Sequence, residues 1–98
     1  MKEITPKEVQ QRLEAGEALN IIDVREVHEY ASGHIPGAVN IPLGLLPVRM
    51  NELSKDIPYI VVCLAGGRSA QATELLDRNG FDATNMSGGM SAWEGKVE

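Results

Sequence analysis

The sequence lacks several features that would assign it to common protein classes. It holds one cysteine in 98 residues, so it cannot form an internal disulfide, and nothing in it implies an oxidising compartment. The sequence contains nine lysines and arginines and 14 acidic residues, which gives a net charge of −5. Nucleic acids and anionic membranes bind clustered basic residues, so we expect neither as a partner.

Long apolar runs are also absent. No stretch approaches the roughly 20 apolar residues of a membrane-spanning helix, and the first residues lack the apolar region of a signal peptide. We therefore expect a cytoplasmic protein. A length of 98 residues, 43% of them apolar, fits one domain with an ordinary core, and no linker or repeat divides it. We expect residues 1–98 to form a single domain.

The chain does contain an alternation of short apolar strands and helical segments. Clusters of apolar and β-branched residues predict strands at 19–24, 38–41, 59–62 and 81–85. Helical segments are predicted at 6–15, 26–32, 45–53, 69–79 and 90–94. This order predicts an α/β fold, a small and mostly parallel β-sheet flanked by helices on both faces.

The first helix has the clearest predicted boundaries. Thr5 is placed as its N-cap, Pro6 as its first residue and Glu8 as the partner of Thr5 in a capping box. Gly16 closes the helix.

The single cysteine, Cys63, lies between the third predicted strand and the helix over 69–79. The loop that follows it reads Leu64-Ala65-Gly66-Gly67-Arg68-Ser69. Ligands of open α/β sheets bind beyond the carboxyl ends of the strands, and Cys63 falls at such an end. The fold and the motif therefore indicate the same place for a site.

Three features of this loop are expected to lower the pKa of Cys63, which for a free cysteine is about 8.5. The helix that begins near Ser69 directs its partial positive end at the loop. Gly66 and Gly67 allow successive backbone N–H groups to converge. Arg68 adds a permanent charge and a planar set of donors for oxyanions. We predict that Cys63 is substantially ionised at neutral pH.

Each of these residues also has a purely structural interpretation. Cys63 can serve as a small buried hydrophobe, the two glycines as a sharp turn and Arg68 as a solvated surface charge. Ser69 can cap the helix, donate to the sulfur, or do both. A structural cysteine needs none of the residues that follow it, so the combination favours a thiolate beside an anion-binding loop.

Three segments together resemble the rhodanese-like sulfurtransferase family. They are the loop Cys63-x4-Arg68-Ser69, the N-terminal stretch from Asp23-Val24-Arg25-Glu26 through Glu29-Tyr30 to Gly33–Pro42, and Gly88-Gly89-Met90-Ser91-Ala92-Trp93. Each segment alone is a weak indication of this family, whereas all three in the right order within one short chain are a strong one. The resemblance spans nearly the whole chain.

The resemblance implies that Cys63 takes a sulfane sulfur from thiosulfate or a similar small anionic donor and becomes a persulfide. The persulfide then passes the sulfur to cyanide or a thiol, and a sulfur-relay protein is a further expected partner. The substrate-binding residues it implies are Leu64, Ala65, Gly66, Gly67, Arg68 and Ser69, with Arg68 orienting the oxygens of the donor. The implied mechanism needs no metal and no organic cofactor.

The other motif residues are interpreted as scaffold. Asp23 and Arg25 are expected to join neighbouring loops by charge-assisted hydrogen bonds. His34 is a candidate base, but a thiol that is already ionised needs none. His28 is expected on a solvated helical face, and Trp93 is expected to anchor the last helical turn to the domain.

One residue departs from the family pattern. Many members carry a basic or polar residue directly after the cysteine, whereas this chain has Leu64. Together with the net negative charge, Leu64 weakens attraction for the thiosulfate dianion. A protein persulfide or a low-molecular-weight persulfide is therefore an alternative donor.

Two other functions remain open. Cysteine phosphatases also combine a cysteine, a loop of N–H groups and an arginine, but they place five residues between the two side chains, whereas this chain has four. A sulfur carrier or docking module with little turnover of its own is the second alternative, since the chain is short and shows no second domain.

Overall fold

Five short parallel strands form the centre of the protein. The computed structural model describes residues 1–98. The strands are β1 (Glu3–Ile4), β2 (Asn20–Asp23), β3 (Val39–Asn40), β4 (Pro58–Val62) and β5 (Asp82–Met86). Their order in the sheet is β1-β5-β4-β2-β3, and every neighbouring pair is parallel. All five carboxyl ends therefore meet at one edge of the sheet.

Helices cover both faces of this sheet. They are α1 (Pro6–Glu14), α2 (Val27–Ala31), α3 (Leu46–Arg49) and α4 (Gly67–Arg78), with 3-10 turns at Leu43–Leu45, Met50–Glu52 and Met90–Ala92. None of these helices has the length and apolar character that crossing a bilayer requires.

Two apolar layers result from the alternation of side chains along the strands. On one face Ile22 and Val61 pack with Leu76 of α4 in a cluster of buried residues. On the other, Ile21 and Ile60 pack with Val9 of α1 in a second cluster. The predicted α/β fold, with helices on both faces, is confirmed, and the sheet is wholly parallel.

The predicted start of α1 is confirmed in detail. The Glu8 N–H donates to the Thr5 hydroxyl over 3.1 Å, and the Thr5 N–H donates to a Glu8 carboxylate oxygen over 3.2 Å. Pro6 is the first residue of the helix.

Strand β1 and the segment over 45–53 differ from the sequence prediction. Strand β1 was not predicted, because two residues carry no periodicity, and it exists through its pairing with β5. The helix predicted over 45–53 is instead a 3-10 turn, the four-residue α3 and a second 3-10 turn. Pro47 lacks an N–H and is tolerated only in the first turn of an α-helix, and it is the second residue of the short α3.

The longest helix begins earlier than predicted. Its first residue is Gly67 and not Ser69, and Gly66 is its N-cap with φ of +104°. This left-handed conformation is open to glycine and costly for other residues. The helix thus extends two residues into the loop after the cysteine.

Candidate active site

Strand β4 carries Cys63 to the predicted place. Tyr59, Ile60, Val61 and Val62 are buried, and they hold the strand in the middle of the sheet. Cys63 follows directly at the carboxyl end, and it is only 1% exposed. The thiol therefore lies beneath the loop and not on its outer surface.

The loop turns back over the sulfur at Gly66. The Gly66 N–H donates to the Cys63 Sγ over 3.0 Å, and the Ser69 Oγ lies 3.2 Å from the same sulfur. Ser69 is fully buried in the first turn of α4. Because Gly66 is the N-cap, the Ser69 side chain does not cap the helix. Its hydroxyl contacts the thiol and also lies 3.2 Å from the Gly66 carbonyl oxygen, which accepts a hydrogen bond from it.

These contacts act on the pKa of the thiol in opposite directions. Burial raises the pKa of Cys63, whereas the Ser69 hydroxyl and the backbone N–H groups of Ser69, Gly66 and Ala65 lower it. The lowering contributions prevail, so the pKa lies below the ordinary value for cysteine. The direction agrees with the sequence prediction.

Further N–H groups of the loop remain available to an anion. Those of Leu64, Gly67 and Arg68 form no hydrogen bond with another backbone group. Leu64 is 45% exposed and Ala65 and Gly67 are exposed as well, so the outer side of the loop is open to solvent. A short loop with free donors around a sulfur is suited to a small anion.

Arg68 has a partner that the sequence analysis did not predict. Its Nη1 and Nη2 atoms donate to the two carboxylate oxygens of Glu29 over 2.7 and 2.9 Å. The bonds to Arg68 are the main reason that the pKa of Glu29 falls from 4.5 to about 2. The guanidinium of Arg68 is therefore held by a helix that precedes it by almost 40 residues.

A second segment supports the loop from behind. The Met90 N–H donates to the Cys63 carbonyl and the Ser91 N–H to the Leu64 carbonyl, each over 2.8 Å. A Cβ on Gly89 would lie only 2.5 Å from the Leu64 carbonyl oxygen. This supporting role was missed from the sequence, although the paired glycines of the third motif were its signal.

The scaffold role predicted for Asp23 and Arg25 is confirmed. The Arg25 Nη2 donates to Asp23 and to the Gly33 carbonyl, each over 2.8 Å, and both charged side chains are buried. The amide of Asn40 donates to the carbonyls of Asp23 and Arg25, each over 2.9 Å. The ends of β2 and β3 are thereby joined to the end of α2.

The remaining motif residues lie away from the sulfur contacts. His28 is exposed, as predicted. The ring of His34 stacks on Tyr30 with centroids 3.7 Å apart, and its Nδ1 lies 2.9 Å from the Tyr30 carbonyl oxygen. Trp93 packs against the buried cluster that contains Val9, which confirms its predicted anchoring role.

Comparisons with known proteins agree with this architecture. The chain is 44% identical over 98 residues to the Bacillus subtilis protein named "Putative sulfurtransferase YtwF", covering 100% of this chain and 95% of the relative. It is 37% identical over 94 residues to a protein of Allochromatium vinosum named sulfurtransferase, covering 95% and 88% of the two chains. A crystal structure of a rhodanese-like domain protein from Staphylococcus aureus superposes with a TM-score of 0.94 at 41% identity, covering 100% and 97%.

The family model for the rhodanese-like domain matches residues 5–96, almost the whole chain. That match includes the strand that carries Cys63, the loop around its sulfur and the segment behind the loop. On this evidence the chain belongs to the rhodanese-like domain family.

Proposed function

We propose that this protein is a sulfurtransferase that moves a sulfane sulfur through a persulfide on Cys63. One observation carries the proposal, namely the buried Sγ with the Gly66 N–H at 3.0 Å and the Ser69 hydroxyl at 3.2 Å. These donors stabilise a thiolate, which is the nucleophilic form of cysteine. Relatives that are named sulfurtransferases support the reaction class.

The first half-reaction is a displacement at sulfur. The Cys63 thiolate attacks the outer sulfur of thiosulfate or of a persulfide donor. With thiosulfate the Sγ–S bond forms as the S–S bond breaks, and the electron pair leaves on sulfite. In this proposal the N–H groups of Leu64, Ala65 and Gly67, which form no hydrogen bond with another backbone group, stabilise the anionic persulfide and the leaving group, as an oxyanion hole does.

The second half-reaction restores the thiolate. Cyanide or a thiolate attacks the outer sulfur of the persulfide, and the electron pair of the broken S–S bond returns to Cys63. The two covalent half-reactions predict ping-pong kinetics. The proposed mechanism uses no general base, because Cys63 reacts as the thiolate, the form that its lowered pKa favours.

A persulfide carrier with low turnover is the second candidate function. Cys63 is only 1% exposed, which slows its reaction with any donor or acceptor while the loop keeps this conformation. A Bacillus subtilis relative named "Putative sulfur carrier protein YrkF" is 41% identical over 97 residues, which are 52% of its length. Slow turnover of the isolated protein, accelerated by a sulfur-relay partner, would support this function.

A phosphatase is less well supported by the loop. Cysteine phosphatases place five residues between the cysteine and the arginine, whereas four residues separate Cys63 from Arg68, and the guanidinium of Arg68 is bound by Glu29. Hydrolysis of an aryl phosphate without any sulfur loading would nevertheless overturn the proposed function.

The proposal is tested by sulfur loading. We would incubate the reduced protein with thiosulfate and with 2-hydroxyethyl persulfide and record its intact mass, with Cys63→Ser as the matched control. One added sulfur atom on the parent, absent from Cys63→Ser and released as thiocyanate by cyanide, is the expected result. No gain from either donor would contradict the proposed function.

A further inference from the structure

The ion pair between Glu29 and Arg68 connects helices from opposite faces of the sheet. Tyr30 of α2 packs against the cluster that contains Val9, whereas Leu76 of α4 belongs to the cluster on the other face. The pair bridges these faces through two parallel hydrogen bonds of 2.7 and 2.9 Å. Such a bidentate arrangement fixes geometry as well as charge.

Glu29 is itself fixed in place. Its Oε1 accepts a hydrogen bond of 2.9 Å from the Glu26 N–H, which is the reciprocal bond of a capping box at the start of α2. The Glu29 side chain is 21% exposed and that of Arg68 is 35% exposed. The carboxylate thus holds Arg68 at a partly exposed position one residue before Ser69, whose hydroxyl contacts the sulfur.

The pair changes the charge that an incoming donor meets. Arg68 is the only basic residue between Cys63 and Ser69, and the neighbouring exposed positions are Leu64 and Ala65. The Glu29 carboxylate offsets the charge of Arg68 and occupies two of its N–H donors. The pair therefore attracts a donor with two negative charges only weakly. The binding of a donor with no charge or one negative charge depends less on this attraction.

We propose that Glu29 is a positioning residue that sets the donor class, acting through Arg68 to favour small thiol persulfides over the thiosulfate dianion. This inference rests on the proposed function, which it deepens. For a persulfide R–S–SH, the Cys63 thiolate forms the Sγ–S bond as the S–S bond breaks. The electron pair leaves on the R–S sulfur, which takes the proton of the outer sulfur, so that R–SH and the Cys63 persulfide anion result.

The test compares donors in matched variants. We would measure second-order rate constants for sulfur loading by thiosulfate and by 2-hydroxyethyl persulfide, using quenched intact-mass measurements at low ionic strength. Glu29→Gln keeps the shape and the hydrogen-bond acceptor but removes the charge. Glu52→Gln is the matched control, because Glu52 makes the same kind of bidentate pair with Arg49 outside the loop.

Glu29→Gln is expected to raise the ratio of the thiosulfate rate to the persulfide rate by about fivefold or more, since the charge of Arg68 is then no longer offset. The gain should shrink as salt is added. Glu52→Gln should leave the ratio unchanged. In the double variant Glu29→Gln with Arg68→Ala the gain should disappear, because the effect passes through Arg68.

Three outcomes would overturn the inference. An unchanged donor ratio in Glu29→Gln, with both rates equal to the parent or equally reduced, would leave Glu29 only a structural role. A gain that survives in the double variant would show that Glu29 does not act through Arg68. A parent that loads sulfur from neither donor would overturn the proposed function and this inference together.

Discussion

At the scale of single residues, the hydroxyl of Ser69 is the strongest influence that lowers the pKa of Cys63 against the effect of burial. It lies 3.2 Å from the sulfur and is itself fully buried. A hydrogen bond to a charged group is worth about 1.5–3 kcal/mol, so its loss should be measurable in the chemistry of the thiol.

We therefore expect Ser69→Ala to raise the pKa of Cys63. Iodoacetamide reacts with the thiolate form of cysteine. The rate of alkylation at neutral pH should therefore fall about tenfold, and the pH profile of this rate should move to higher pH. Thr73→Val is the matched control, since Thr73 is a buried hydroxyl one turn further along α4 that bonds to the Ser69 carbonyl and not to sulfur. An unshifted profile in Ser69→Ala would contradict this account of the thiolate.

Gly89 is a second residue at which a single substitution should disturb the loop that holds Cys63. Its φ of +58° and ψ of −159° are accessible almost only to glycine, and an added Cβ would lie 2.5 Å from the Leu64 carbonyl oxygen and 2.6 Å from that of Cys63. Any side chain here must displace the loop backbone or its own segment.

Gly89→Ala should destabilise the protein by about 2 kcal/mol or more and alter the reactivity of Cys63. Gly16→Ala is the matched control, because Gly16 also has a positive φ, of +86°, but an added Cβ there has no atom within 4 Å. Urea unfolding and thiol alkylation would be measured for both. Equal losses of stability would show that strain of the backbone, and not the contact with the loop, determines the cost at Gly89.

At the scale of elements, the buried pair of Asp23 and Arg25 joins the end of β2 to the end of α2. Both side chains are at most 5% exposed, and Arg25 also donates to the Gly33 carbonyl. A buried charge without its partner is costly, more so than the absence of both charges.

Arg25→Leu is accordingly expected to lower the free energy of unfolding by about 3–5 kcal/mol, because it leaves the Asp23 carboxylate buried and uncompensated. The double variant Asp23→Asn with Arg25→Leu should recover much of this loss, since the isolated charge is then gone. Urea unfolding measures the free energy of unfolding of both variants and of the parent. A double variant no more stable than Arg25→Leu would mean that the bond to Gly33 dominates.

At the scale of the whole molecule, the Glu29–Arg68 pair also contributes to acid stability. The pKa of Glu29 falls from 4.5 to about 2, chiefly through the hydrogen bonds from Arg68. A carboxylate whose pKa is lowered by folding stabilises the folded state above its unfolded pKa. That contribution is lost as the pH falls from about 4.5 towards 2.

The thermal midpoint of Glu29→Gln should therefore lie below that of the parent at neutral pH, with a difference that shrinks between about pH 4.5 and pH 2. Circular dichroism melts across this range would measure it. Glu94→Gln, which removes a carboxylate that is exposed, serves as the control and should follow the parent curve. A difference that stays constant down to pH 2 would show that the effect of Glu29 is not electrostatic.

The sequence by itself determined the elements whose signals are local. The Thr5–Glu8 capping box and the apolar run into Cys63 involve residues close in the chain, and backbone preferences and periodicity make such patterns readable. The place of Cys63 at the end of a buried strand follows from the same run and from the rule for parallel sheets.

Only the tertiary structure decided the contacts between distant segments. Strand β1 exists because β5 pairs with it, Arg68 is held by Glu29 from another helix, and Gly89 supports the loop from behind. No local preference encodes these contacts, because each depends on how the sheet brings together segments that are far apart in the chain. The thiol could be found from its neighbours in sequence, whereas the charge that surrounds it depends on the fold.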